Sequence, residues 1–142
     1  MTASRDVAAD AGTIFELLAD PAQQPRWDGN DNLADGGGNQ RITAAGEVFS
    51  MTLTGGNVRE NHVIEFEEGR RIAWRPAPPG EQPPGHLWAW TLEPLGPDRT
   101  RVTHTYDWTR LEDEHRLARA RATDAAYLQR SLDRLAAVAE GA

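Results

Sequence analysis

The C-terminal stretch from Asp113 to Ala139 constrains the fold most, because its apolar residues share one helical face. These residues recur at steps of three and four: Leu117, Ala120, Tyr127, Leu128, Leu132, Leu135 and Val138. This spacing predicts one long amphipathic helix that covers a core. Two polar residues, Asp124 and Ser131, interrupt the apolar stripe. A buried carboxylate is costly unless it is paired or faces a wet cavity. The pattern therefore leaves two alternatives, a pocket beside this helix or an ion pair between Asp124 and Arg121.

Length and composition bound the class of protein. The chain has 142 residues, a net charge of -7 and no cysteine. We expect one domain over residues 1–142, no nucleic-acid partner because phosphate binding needs a basic patch, and no thiol chemistry. No apolar run approaches the roughly 18 to 20 residues of a membrane span, and residues 1–10 lack the form of a signal peptide. We therefore expect a cytoplasmic protein without a membrane span, either a monomer or a homodimer.

The first third of the chain predicts one strand followed by two short helices. Thr2 to Ala8 has weak strand character, and Asp10 is a candidate N-cap for a helix. Pro21 is expected to begin a second helical turn and Pro25 to end it. The stretch from Asp31 to Gln40 is rich in glycine, asparagine and aspartate and is predicted to be a loop.

From Arg41 onward the apolar residues follow a period of two, which predicts strands. The faces that we expect to point inward are Phe49, Met51 and Leu53; His62, Ile64 and Phe66; Ile72 and Trp74; His86, Trp88, Trp90 and Leu92; and Val102, His104, Tyr106 and Trp108. The connections between these runs are short, so the strands are expected to be antiparallel. A proline-rich connection over residues 76–85 separates the third run from the fourth. The prediction is an α+β fold with an antiparallel sheet of about six or seven strands.

Several short motifs, taken in order, resemble one family. They are Asp20-Pro21, residues 25–29 (PRWDG), residues 61–67 (NHVIEFE), residues 70–74 (RRIAW), residues 90–94 (WTLEP), residues 100–103 (TRVT) and residues 131–135 (SLDRL). Over nearly the whole chain the sequence resembles the START-like, or SRPBCC, superfamily and its bacterial polyketide cyclase/dehydrase-like branch. The resemblance implies the helix-grip fold, in which a curved sheet wraps around the long C-terminal helix. It also implies a deep cavity for apolar or aromatic small molecules, and no shared catalytic signature.

An aromatic pocket follows if the predicted faces point inward. The candidate ligand-binding residues are Trp27, Asn30, Met51, His62, Trp74, His86, Trp88, Trp90, Trp108 and Leu128. Indole and imidazole groups bring polar atoms that need partners when they are buried. A few such atoms in an apolar wall are typical of a small-molecule site. The alternative is that these tryptophans fill space beneath the helix.

Three residues are candidates for proton transfer. His104 is expected to titrate near neutrality, Tyr106 could donate a proton to a developing enolate, and Asp124 could orient His104. The alternative is that His104 is a hydrogen-bonded core residue. His62 and His104 could converge on a metal, but no metal-binding motif is present, so we expect no metal and no cofactor.

The sequence therefore favours a cavity protein for an aromatic or polyketide-like small molecule, and cyclisation or dehydration of that molecule is the candidate reaction. Two alternatives stay open: a non-catalytic carrier or sensor of a hydrophobic ligand, and a protein-interaction module. Arg59 and Arg121 are candidates to receive a ligand carboxylate, although surface ion pairs are commoner for arginine.

Overall fold

The computed structural model describes residues 1–28, 33–35 and 40–141. Its strands are β1 (Thr2–Val7), β2 (Leu33–Asp35), β3 (Val48–Leu53), β4 (Val58–Glu67), β5 (Arg71–Ala77), β6 (Leu87–Gly96) and β7 (Arg99–Asp107). Its helices are α1 (Ala11–Ala19), α2 (Gln24–Trp27), α3 (Glu114–Ala122) and α4 (Ala125–Gly141). Within the described residues these strands form one antiparallel seven-stranded sheet in the order β1-β7-β6-β5-β4-β3-β2. The α+β helix-grip prediction is confirmed.

The two short helices follow β1 as predicted, but their boundary differs from the prediction. The Asp10 side chain accepts a hydrogen bond from the Thr13 amide and caps α1, as expected. Pro21 begins a short 3-10 turn. Pro25 does not end a helix, since it lies in the first turn of α2, where the missing N–H of proline costs nothing. The predicted loop after α2 contains the short strand β2, which pairs with β3 at the sheet edge.

A β-bulge in β4 makes the predicted phase of this strand wrong. The pairing with β5 shifts register between Val63 and Glu65, so one extra residue is accommodated there. Asn61 and Val63 are buried, whereas Ile64 is 44 % exposed. Phe66, beyond the bulge, packs against the main core again. Because side chains alternate between faces, the bulge places His62 on the face opposite to the one predicted.

The predicted single C-terminal helix is in fact two helices, which meet at Thr123 and Asp124. Thr123 has an extended backbone, and its hydroxyl donates to the Arg119 carbonyl at 3.2 Å. The Asp124 carboxylate then accepts from the Tyr127 amide at 3.0 Å and caps α4. Threonine and aspartate offer the backbone such local bonds in place of helical ones. The interruption of the apolar stripe at Asp124 is therefore the point where one helix ends and the next begins.

The core lies between α4 and the sheet, with α1 and α2 at one side. α4 packs against β1, β7, α1 and α2, and Leu128, Leu132, Leu135 and Ala136 are all fully buried. Burial of one leucine side chain contributes about 1.5–3 kcal/mol, so this face of α4, together with the buried residues of α1, stabilises the core. Ser131 is also buried, as predicted. Among the described residues, no helix is long and apolar enough to cross a membrane.

The proline-rich connection between β5 and β6 is fixed at its end by Gly85. Arg75 donates a hydrogen bond to the Gly85 carbonyl at 2.5 Å. Gly85 has a φ of +128°, and a Cβ at this position would lie 2.6 Å from the Arg110 carbonyl oxygen. Glycine is therefore required twice, by the backbone conformation and by the close approach. This contact joins the connection to the turn that leads from β7 to α3.

Candidate functional site

A cavity of about 490 Å³ lies between the sheet and the helices α2, α3 and α4. This volume is in the range of small-molecule sites. The predicted residues that line it are Trp27, Met51, Trp74, His86, Trp88, Trp90, His104, Tyr106 and Asp124. Residues from the structure that sequence reasoning did not assign to the pocket are Gln24, Asp28, Leu33, Leu53, Asn61, Pro76, Leu111, Arg116, Arg119, Ala122, Thr123, Tyr127 and Arg130. Arg59, which was considered only as a carboxylate ligand, also lines the cavity.

One wall of the cavity is an aromatic stack built by strand register. Trp88 lies opposite Tyr106, and Trp90 lies opposite His104, across the β6–β7 pair. Side chains that face each other across antiparallel strands are close enough to touch. The rings of Trp88 and Tyr106 stack at 4.0 Å, and those of Trp90 and His104 stack at 3.7 Å. The edge of Trp27 meets Trp90 at 5.1 Å from the helix side. The wall offers flat apolar surface to an aromatic ligand.

His104 is held neutral within this stack. Its Nδ1 lies 3.1 Å from the Ala89 carbonyl oxygen. Burial lowers the pKa of His104 to about 3, although the bond to Ala89 partly opposes the shift. A carbonyl oxygen can only accept, so Nδ1 carries the proton and Nε2 is left as an acceptor. The expectation that His104 titrates near neutrality is therefore wrong, because two indoles and the strand backbone exclude water from it.

His86 is also neutral at physiological pH. Its pKa is lowered to about 4, first by burial and then by the positive charges of Arg116, Arg59, Arg75 and Arg119. The His86 ring meets Tyr106 edge-on at 6.2 Å. Burial raises the pKa of Tyr106, while the charge of Arg119 opposes this shift. Tyr106 consequently keeps its proton at neutral pH and presents an O–H donor to the cavity.

Three nitrogen atoms of residues that line the cavity are buried without a hydrogen-bond partner in the described part of the chain. They are Gln24 Nε2, Trp90 Nε1 and His86 Nδ1. A buried polar atom without a partner costs about 1–3 kcal/mol, and such atoms are rare in folded proteins. By contrast, the Trp27 indole N–H donates to the Leu17 carbonyl at 2.8 Å. These atoms are polar groups of the cavity lining that the described residues leave without a partner.

Tyr127 and Asp28 link α4 to the end of α2 at the cavity wall. The Tyr127 hydroxyl donates to the Asp28 carboxylate at 3.2 Å. The pKa of Tyr127 is raised, first by burial and then by the charge of Asp28. Arg134 donates to the Asp28 carbonyl at 2.8 Å. These bonds hold the two helices together beside the aromatic wall, and Tyr127 also contacts Trp88 at 5.5 Å.

Three arginines, Arg59 of β4 and Arg116 and Arg119 of α3, lie together at one end of the cavity. Burial lowers the pKa of Arg59, and the charges of Arg119 and Arg116 lower it further. The sequence pattern placed Arg116 and Arg119 in water, opposite the apolar stripe. The break at Thr123 uncouples α3 from the phase of α4, which explains the difference. A signal was available in the residue pair Thr123-Asp124, whose side chains favour helix ends.

Four of the predicted site residues need correction, and one cannot be placed. His62 lies on the opposite face of β4 and does not line the cavity. Trp108 lies past the end of β7 and packs with Leu111, and Leu128 is in the packed core. Asp124 is exposed, caps α4 and does not orient His104. Asn30 lies outside the described residues.

Two further expectations can be compared with these positions. The ion pair of Arg121 is with Glu114, at 3.9 Å, rather than with Asp124. No group of three or more potential metal ligands occurs in residues 1–28, 33–35 and 40–141. His62 and His104 do not converge, because only His104 faces the cavity.

Comparison with known proteins identifies the family of this chain. The family model described as "Polyketide cyclase / dehydrase and lipid transport" matches residues 1–140. The uncharacterized protein Rv0088 of Mycobacterium tuberculosis is 33 % identical over 111 residues, which cover 74 % of this chain and 46 % of the relative. The chain thus spans about half the length of the curated relatives that it matches.

Solved structures show the same fold at low sequence identity. A protein from Arthrobacter aurescens superposes with a TM-score of 0.69 at 19 % identity, covering 99 % of this chain and 86 % of that one. The di-domain ARO/CYC protein StfQ of the steffimycin biosynthetic pathway superposes with a TM-score of 0.65 at 21 % identity, covering 99 % of this chain and 44 % of that one. This chain therefore superposes on a little less than half of StfQ.

Proposed function

Because the chain belongs to the polyketide cyclase/dehydrase and lipid transport family, we propose that its cavity binds an aromatic or polyketide-like small molecule. The observation that carries the proposal is the pairing of a stacked aromatic wall with orphaned polar atoms in one cavity of about 490 Å³. The stack of Trp88 and Tyr106 provides flat apolar contact. Trp90 and Gln24 provide N–H donors for ligand oxygens. A ligand with fused rings and several oxygen atoms satisfies both.

The candidate reaction is cyclisation or dehydration by proton transfer beside a carbonyl group. In this proposal the Tyr106 hydroxyl donates a hydrogen bond to the substrate oxygen on which negative charge develops. The raised pKa of Tyr106 keeps this donor protonated. His104, neutral with its Nδ1 proton bound to Ala89, accepts a hydrogen bond from a substrate hydroxyl through Nε2. The cavity walls hold a flexible chain folded, which raises the effective concentration of the reacting groups.

A carrier or sensor is the second candidate, and one observation favours it. The two histidines of the cavity have pKa values of about 3 and about 4. An efficient general base needs a pKa nearer the working pH. Neither His104 nor His86 meets this condition, so binding without chemistry is compatible with the same wall of residues. The family is described by lipid transport as well as by cyclase and dehydrase activity, and transport is the corresponding non-catalytic role.

Native mass spectrometry tests the binding proposal directly. The purified protein is exposed to a small-molecule extract of its host, and retained ligands are identified after denaturation. We expect a retained aromatic or polyketide-like mass, and we expect Trp88→Ala to lose it because the stacking surface is removed. Ala137→Ser is the control, because Ala137 is an exposed residue on the outer side of α4. Absence of any retained mass across extracts and concentrations would contradict the binding proposal.

A turnover assay with the retained compound distinguishes the two proposed functions, enzyme and carrier. Tyr106→Phe removes only the hydroxyl, and Tyr127→Phe makes the same change at a tyrosine whose hydroxyl is bonded to Asp28. If Tyr106 stabilises a developing oxyanion, its variant loses about 10²–10³-fold in kcat, while Tyr127→Phe loses much less. Equal product formation by the wild type and Tyr106→Phe would remove Tyr106 from the mechanism. No turnover by the wild type would leave the carrier as the function.

A further inference from the structure

Three arginines lie together at the cavity of a chain that is acidic overall. Arg59, Arg116 and Arg119 line both the main cavity and an adjoining hollow of about 250 Å³, which is also lined by Asp113 and His115. The cluster joins two elements, because Arg59 comes from the sheet and the other two arginines come from α3. It is found in a chain whose net charge is -7. We call these three residues the arginine cluster.

Six arginines outside the arginine cluster pair with carboxylates. Ion pairs are formed by Arg5, Arg41, Arg71, Arg99, Arg101 and Arg121. In the arginine cluster, Arg116 has one carboxylate, that of Asp113, at 4.0 Å. Asp113 is already engaged, because it accepts from the His115 and Arg116 amides at the start of α3. Among the described residues, Arg59 and Arg119 form no ion pair and no side-chain hydrogen bond.

The placement of the cluster carries an energetic cost. Arg59 and Arg116 are partly buried, whereas Arg119 is exposed. Burial lowers the pKa of Arg59, and the nearby charges of Arg119 and Arg116 lower it further. The same three arginines lower the pKa of His86 deeper in the cavity. Like charges that converge in a partly dry site destabilise the fold unless an anion compensates them. Because the three residues line both the cavity and the adjoining hollow, such an anion would lie where the two meet.

We propose that the ligand of this cavity carries an anionic oxygen group, a carboxylate or a phosphate ester, that is bound by Arg59, Arg116 and Arg119. The inference rests on the proposed function, since the aromatic body of the same ligand lies against the Trp88–Tyr106 wall. Guanidinium groups form paired N–H bonds to carboxylate and phosphate oxygens. The Arg59 side chain binds from the sheet side, and Arg116 and Arg119, one helical turn apart, bind from the other.

A matched pair of fluorescent probes separates the anion from the aromatic body. N-phenyl-1-naphthylamine is neutral, and 8-anilinonaphthalene-1-sulfonate has the same ring system with one sulfonate. Titration of the wild type is expected to give a Kd for the sulfonate probe that is about tenfold lower than for the neutral probe, because charged hydrogen bonds are added. Equal affinity for the two probes would overturn the inference and leave the proposed function intact. Absence of neutral-probe binding would instead contradict the aromatic cavity.

Variants assign the effect to particular arginines. Arg59→Gln and Arg119→Gln are each expected to weaken the sulfonate probe about tenfold and to change neutral-probe binding less than twofold. Arg121→Gln is the matched control, because it removes one positive charge from the same helix at a residue that does not line the cavity. If all three variants weaken the sulfonate probe equally, the effect is one of net charge and the inference fails. Far-UV circular dichroism and thermal unfolding confirm that each variant is folded.

Competition distinguishes the two kinds of anion. The sulfonate probe is displaced with 2-naphthoate, with 2-naphthyl phosphate and with neutral 2-naphthamide. Displacement by either anion at about a tenth of the amide concentration, lost in Arg59→Gln, supports the inference and identifies the preferred group. Inorganic phosphate alone is expected to compete weakly, since it lacks the aromatic body. Displacement by the amide as efficient as that by both anions would contradict the proposed role of the cluster.

Discussion

Trp27 and Trp90 can be compared to measure how much one buried hydrogen bond contributes to stability. The two indoles touch, at 5.1 Å between ring centroids, and are both almost fully buried. Trp27 donates its N–H to the Leu17 carbonyl, whereas the Trp90 N–H has no partner in the described residues. Replacement of each by phenylalanine removes the same atoms and the same volume. The two substitutions therefore differ mainly in what happens to the N–H group.

The magnitudes follow from this difference. The lost apolar contact costs about 1 kcal/mol of unfolding free energy in both variants. Trp27→Phe also leaves the Leu17 carbonyl buried and unpaired, which costs about 1–3 kcal/mol more. Trp90→Phe removes an unpaired donor, so a similar amount is regained. We expect Trp27→Phe to destabilise the protein by about 2–4 kcal/mol and Trp90→Phe to be between unchanged and about 2 kcal/mol more stable than the wild type.

Urea unfolding followed by far-UV circular dichroism measures both values without relying on tryptophan fluorescence. An unchanged m-value shows that the change is in stability and not in the denatured state. The reasoning is refuted if Trp90→Phe is as destabilised as Trp27→Phe. The same Trp90→Phe variant is expected to bind an oxygen-bearing ligand less tightly, because the donor that was unpaired in the free protein is the one offered to the ligand.

Three further predictions follow from single features. Gly85→Ala is expected to cost about 1–3 kcal/mol, since it strains a positive φ and places a Cβ against the Arg110 carbonyl; thermal unfolding measures this. The pKa of His104 is lowered to about 3 and that of His86 to about 4, so below the ordinary histidine pKa near 6.5 the unfolded state binds more protons than the folded state. Each histidine is therefore expected to lower the free energy of unfolding by about 1.4 kcal/mol per pH unit as the pH falls from roughly 6 towards 4. Urea unfolding at several pH values measures the slope. Asp124→Ala removes the cap on the Tyr127 amide and is expected to cost about 1 kcal/mol, measured by the same unfolding assay.

Each of these predictions has a matched control. Gly96→Ala, where an added Cβ meets nothing within 4 Å, is expected to change stability little. His104→Gln should reduce the pH slope by about half, because buried His86, whose pKa is lowered to about 4, contributes the other part. Asp124→Asn keeps a capping side chain and should recover most of the loss. A pH slope in His104→Gln equal to that of the wild type, or a loss in Asp124→Asn equal to that of alanine, would contradict the corresponding argument.

Much of the fold could be predicted because it depends on periodicity. The period of two from Phe49 to Trp108 and the apolar stripe after Leu117 define a sheet and a helix that must cover each other. The errors occur where a local hydrogen bond or a bulge overrides periodicity. A bulge after Val63 reverses one face of β4, and the Thr123-Asp124 pair divides a helix whose apolar pattern continues across it.

The candidate site was only partly predictable for the same reason. Pairs on β6 and β7, such as Trp90 and His104, could be assigned to one face because those strands run regularly there. The arginine cluster could not, since its residues meet only through the turn after β7 and the helix break. The protonation of His104 also depends on three-dimensional burial, which no alternating pattern reports. Tyr127 was placed in the core stripe, although it also reaches the cavity and Asp28.

The break between α3 and α4 has a consequence for how such a domain can diversify. α4 supplies three buried leucines, whereas α3 buries little besides Ala120 and contributes arginines to the cavity lining. Substitutions at exposed helical positions usually change stability by less than about 0.5 kcal/mol. Residues on α3 can therefore be exchanged at little thermodynamic cost, so that selectivity for the end of a ligand can drift between lineages while the helix that holds the sheet stays the same.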